Sequence, residues 1–80
     1  MNASFTDHAA ARAFECEVDH EAVIQALETP HFTQPATEQG RSIHFVKAGG
    51  RPLKVVTGPH LRQPEETAII TVVPLDVEFG

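Results

Sequence analysis

His8 and Arg12 stand four residues apart in "FTDHAAARAF". On a helix they project from one stripe, and Glu15 joins them three residues further on. Histidine is the usual general acid or base near neutral pH, and arginine can grip a phosphate through two parallel N–H groups. The same three residues also read as a surface row closed by an Arg12–Glu15 ion pair, and their spacing alone favours that plainer reading.

A second concentration of chemistry lies in "GRSIHFVKAGGRPLKVV", Gly40 to Val56, which holds four of the six Lys and Arg residues. Arg41, Lys47, Arg51, Lys54 and Arg62 fall within residues 41–64, which contain no Asp or Glu. The eleven acidic residues all lie outside that stretch, with Arg12 as the one cation among them. A split of this kind marks where an anionic partner would bind, or simply a solvated strand face. The net charge of −5 argues against strong non-specific affinity for nucleic acid.

Metal and disulfide chemistry are poorly provided for. None of the five histidines forms an H-x-x-x-H or H-E-x-x-H pair. A single cysteine, Cys16, allows neither an internal disulfide nor a multi-cysteine zinc site. No metal or other cofactor is expected. His20 and His31 fall at the ends of a helix, and His44 reads as a structural residue.

The elements that must position these groups follow from period and punctuation. Residues 4–16 read as a first helix, capped by Ser4 or Thr6, with Asp7 in the first turn. Asp19 caps a second helix whose stripe is Val23, Ile24 and Leu27, and Pro30 stops it near Glu28. "HFTQPATEQG" is a loop with room for a short edge strand. "RSIHFVKA" and "RPLKVVTG" form a hairpin about Gly49-Gly50. "TAIITVVP" is a central strand apolar enough to be buried on both faces, and "LDVEFG" suits an edge strand or a packed tail.

A two-residue turn fixes the hairpin register. Ser42, His44, Val46, Leu53, Val55 and Thr57 share the face expected under the helices. Arg41, Ile43, Phe45, Lys47, Lys54 and Val56 share the other. Cations around a ring suit single-stranded nucleic acid, whose phosphates seek charge and whose bases stack, with Phe45, Lys47 and Arg51 as the contact residues. Ile43, Phe45 and Val56 on that face equally suit a dimer contact.

Eighty residues make one domain, with no internal repeat, secretory signal or membrane-length apolar run, so the cytoplasm is the default location. The expected fold is α+β: two N-terminal helices packed on one face of a three- to four-stranded antiparallel sheet.

"FTDHAAARAF", "VDHEAVIQALETP", "GRSIHF", "GGRPLKVV" and "AIITVVP", in that order, resemble a small domain-of-unknown-function family related to the RelE/ParE and BrnT toxins. The resemblance spans nearly the whole chain. It implies a RelE-like fold and a metal-independent bacterial ribonuclease toxin, acting on RNA and neutralised by a protein antitoxin. A non-catalytic module that binds a protein or a second copy of itself is the alternative. Matched by position, the resemblance implies His8 as acid or base, with Arg12 beside it, Arg41 and Lys54 as phosphate clamps, and Thr71 as an orienting hydroxyl.

Overall fold

Thr6 sets the first helix boundary by tying two distant parts of the chain together. Its side chain accepts from the backbone N–H of Ala9, which caps the helix. Its own N–H donates to the Ile69 carbonyl at 3.0 Å, and its hydroxyl lies 3.1 Å from that same oxygen. The computed structural model in which this is seen describes residues 3–38, 40–60, 62–63 and 65–76.

Seven elements follow in order: β1 (Ala3–Phe5), α1 (Asp7–Glu15), α2 (His20–Glu28), β2 (Phe32–Pro35), β3 (Ser42–Ala48), β4 (Arg51–Pro59) and β5 (Thr67–Pro74). They form an α+β domain with one five-stranded sheet in the order β1-β5-β4-β3-β2. β1 runs parallel to β5, and the other pairs are antiparallel.

This corrects the expected architecture in three ways. The sheet is mixed rather than antiparallel, it has five strands rather than three or four, and the helices follow a strand instead of leading the chain. The physical reason lies in Ala3-Ser4-Phe5. These residues pair with Thr67–Ile69 and satisfy an edge of β5 that would otherwise expose its amides. Ser4 and Phe5 therefore belong to a strand, and α1 starts three residues later than the expected helix.

The hairpin has the register that its Gly-Gly turn dictates, with Ala48 opposite Arg51, Val46 opposite Leu53 and Phe45 opposite Lys54. Gly49 and Gly50 take φ of 59° and 80°, the left-handed pair such a turn requires. Between Val56 and Thr57 the pairing with β5 shifts by one residue, a bulge that passes over Ile70.

Both helices lie on the face formed by Val46, Ala48, Leu53, Val55, Ile69 and Val72. Ala9, Val18, Val23 and Leu27 complete that core. Full burial of a side chain such as Leu53 or Val23 is worth about 1.5–3 kcal/mol. The second helix keeps its expected stripe, with Val23 and Leu27 buried and Ile24 half-buried against them.

β5 is interior, but only partly as expected. Ala68, Ile69 and Val72 are buried, while Ile70 at the bulge and Thr71 and Val73, which face away from the helices, remain half-exposed. Of the expected tail "LDVEFG", Leu75 donates to the Pro52 carbonyl, and residues 77–80 lie outside the described residues. No helix among the described residues is long and apolar enough to cross a membrane.

Candidate nucleic-acid interface

No helix among the described residues covers the second face of the sheet, and cross-strand pairing orders it into rows. One row runs Thr71, Val56, Ile43, Gln34 across β5, β4, β3 and β2. The next runs Val73, Lys54, Phe45, Phe32. Directly paired residues share a face, so each row is a line of neighbouring side chains.

Phe45 and Phe32 stack with ring centroids 4.4 Å apart, and Phe32 is half-exposed at 51%. Phe32 was not among the sequence candidates. Its signal was present in "HFTQP", but only the β2–β3 register brings it beside Phe45. Lys54 sits in the same row as the two rings, and exposed Lys47 follows two residues after Phe45.

His8 reaches this face from the helix layer. Its Nε2 lies 3.2 Å from the Thr71 hydroxyl, at the β5 edge left open beyond β1. Lys54 is the diagonal neighbour of Thr71 on β4, a separation of about 7–8 Å between backbones. That gap is within the reach of a lysine side chain.

Arg41 belongs to the opposite end of the face. Its Cγ lies over Gly58, 3.3 Å from where a Cβ would stand, and Gly58 is four residues beyond Lys54 on β4. That offset amounts to roughly 13 Å at 3.3 Å per residue. Arg41 and Lys54 are therefore separate cations along the face rather than an adjacent pair.

Two other candidates are placed elsewhere. Arg12 is paired with Glu15 at 3.2 Å on the helix surface. Arg51 shares the face of buried Ala48, and its guanidinium donates to the Cys16 carbonyl at 2.8 Å, at the C-terminal end of α1. Arg51 thus caps a helix and stands apart from the Phe45 rings.

His44 occupies the helix side, as its register requires. It bridges two hydroxyls, with Nδ1 3.1 Å from Thr33 and Nε2 2.8 Å from buried Thr57. Burial lowers its pKa from the ordinary 6.5. A neutral ring serves one hydroxyl as donor and the other as acceptor, so this histidine fastens β2 and β4 to β3.

Arg41, Lys47, Arg51 and Lys54 lie on the β3–β4 hairpin or at its entry, but Arg41 is paired with Glu38 and Arg51 is turned to the end of α1.

At the Arg41 end the face opens into a cleft of about 780 Å³. Its polar lining is Arg41, Arg62, His60, Asp7 and Thr6, and its apolar lining includes Ile70 and Pro59. No cluster of three or more metal-ligating side chains occurs among the described residues. Compared with protein-family models, curated proteins and solved structures, the chain gives no match.

Proposed function

We propose that this chain binds single-stranded RNA across the helix-free sheet face and cleaves it, without a metal, at the His8–Thr71 edge. The observation that carries the reading is the contact between His8 and Thr71 at the rim of a face bearing Lys54 and the Phe45–Phe32 stack. Stacked rings accept bases of any sequence, each base worth about 1–3 kcal/mol, and spaced cations follow the backbone. Lys47, Lys54 and Arg41 supply those cations.

In the cleavage step the ribose 2′ oxygen attacks the adjacent phosphorus and the bond to the 5′ oxygen breaks. With Nε2 held by the Thr71 hydroxyl, His8 Nδ1 takes the 2′ proton, water protonates the departing 5′ oxygen, and His8 then releases its proton to solvent. Thr71 orients the imidazole, and Lys54 offsets the charge that develops on the phosphorane. The products are a 2′,3′-cyclic phosphate and a 5′-hydroxyl end. An acidic protein partner of antitoxin type would silence the activity by covering the same cations.

Expression of the wild-type chain beside His8→Ala and Arg41→Ala tests the reading, with growth arrest and RNA cleavage as readouts. Wild-type protein that leaves RNA intact and cells growing sinks it. A second reading rests on the half-buried Ile43, Val56 and Val73 with exposed Phe32, an apolar content that suits docking of a second copy. Sedimentation at rising concentration separates the two, because a dimer through this face would lose RNA binding as it forms.

A further inference from the structure

The cleft at the Arg41 end holds a histidine whose proton is placed by the backbone. His60 Nδ1 lies 3.1 Å from the N–H of Arg62 and 3.2 Å from that of Gln63, and both donate to it. A nitrogen accepting two N–H groups carries no hydrogen, so the ring proton sits on Nε2, which is then a donor. The loop fixes that donor among the cleft residues, where it joins two guanidiniums, Arg41 and Arg62.

Arg41 already contacts the exposed Glu38 carboxylate at 2.7 Å through Nη1. A guanidinium has five N–H groups, so the remaining donors of Arg41 can serve a ligand in the cleft. Asp7, in the first turn of α1, lines the same cleft and adds an acceptor. A ligand matching this cleft carries a compact anion for the guanidiniums and hydroxyl donors for the carboxylate. Ile70 and Pro59 add apolar lining.

We infer that this cleft recognises the terminal phosphate of a ribonucleotide chain, with Arg41, Arg62 and the His60 Nε2–H on the phosphate and Asp7 on ribose hydroxyls. The inference deepens the RNA reading and rests on it, because the cleft is where a strand lying along the sheet face would end. Charge-assisted bonds from guanidinium to phosphate are the strong class of hydrogen bond, which makes a terminal phosphate distinguishable from a terminal hydroxyl.

The test compares binding of one short RNA carrying a 5′-phosphate, a 3′-phosphate or hydroxyls at both ends. At least one phosphorylated form should bind about tenfold more tightly, equivalent to about 1.4 kcal/mol. Arg62→Gln should erase that preference while leaving the affinity for hydroxyl-ended RNA unchanged. His60→Asn should act alike, since Asn Oδ1 still accepts the two loop N–H groups but no donor replaces Nε2–H. Equal affinity for all three RNAs, or a preference that survives both variants, overturns the inference and leaves the sheet-face reading standing. Inorganic phosphate alone, titrated against amide chemical shifts, separates the remaining case. Shifts at His60 and Arg62 without binding of any RNA would leave a bare phosphate site and overturn both the inference and the sheet-face reading, and no shifts there would remove the cleft.

Discussion

The imidazole of His8 and the hydroxyl of Thr71 meet at 3.2 Å across 63 residues of sequence. The contact joins the first turn of α1 to the open edge of β5. It exists because β1 stops at Phe5 and the chain turns into the helix beside Ile69, leaving Thr71 uncovered.

If that contact is catalytic, His8→Ala lowers RNA cleavage by about 10²–10⁴-fold, the usual contribution of a general acid or base. Thr71→Val keeps a β-branched strand residue and should cost less, because it removes only the orientation of the ring. His8 is exposed and Thr71 half-exposed, so unfolding free energies should stay within about 0.5 kcal/mol of wild type. Single-turnover cleavage with parallel urea unfolding checks this, and equal cleavage by all three proteins would dismiss His8.

RNA affinity should fall with salt according to the phosphates engaged. For a single strand each contact contributes about −0.7 to the slope of log K against log salt, so three cations predict a slope near −2. Lys54→Gln should flatten the slope by about 0.7, and Arg51→Gln should leave it unchanged because Arg51 is turned to the Cys16 carbonyl. Titrations at several salt concentrations read both numbers.

Glu17 offers a stability test independent of function. α1 ends in a paired motif in which Val18 donates to the Ala13 carbonyl and Glu17 to that of Phe14, both at 3.0 Å. Glu17 must take φ of 57° to allow this, a conformation that suits glycine. Glu17→Gly should therefore stabilise the protein by up to about 1 kcal/mol. The 3.9 Å approach of Arg51 to the exposed Glu17 carboxylate is too weak to cancel that gain. A lower melting temperature in the variant would contradict the account.

His44 gives the pH dependence. Its folded pKa lies below the unfolded 6.5, so the unfolded chain binds the proton more readily. Its contribution is full above pH 6.5 and is lost as pH falls from there through the folded value. The His44→Gln variant should lose less stability than wild type over that window, since the glutamine amide does not titrate. Urea midpoints for the two proteins on either side of pH 6.5 decide it, and parallel curves would show that His44 does not titrate with unfolding.

Much of this molecule was legible in local pattern. Gly49-Gly50 between two alternating runs fixed the hairpin and its register, and with it the separation of His44 from Phe45 and Lys54. Strand side chains alternate with period two, so a known turn assigns every residue to a face. The helix limits at Asp19 and Glu28 were equally local: Asp19 takes the extended N-cap backbone, though without a side-chain cap bond, and Pro30 follows the C-terminal end. β1 was not legible. Three residues, Ala3-Ser4-Phe5, carry no period, and they become a strand only because an edge of β5 needs partners.

The site divides along the same line. Its basic character is written in residues 41–64, where no acidic residue interrupts the cations. Tertiary structure decided which cations act together. It sent Arg51 to a helix end, set Arg41 apart from Lys54, and brought Phe32 beside Phe45 and His60 beside Arg41. Those neighbours are separated by loops whose closure depends on the packed sheet as a whole, and no local spacing records where a closed loop returns. Residue type and period determined the surface. The fold determined its working parts.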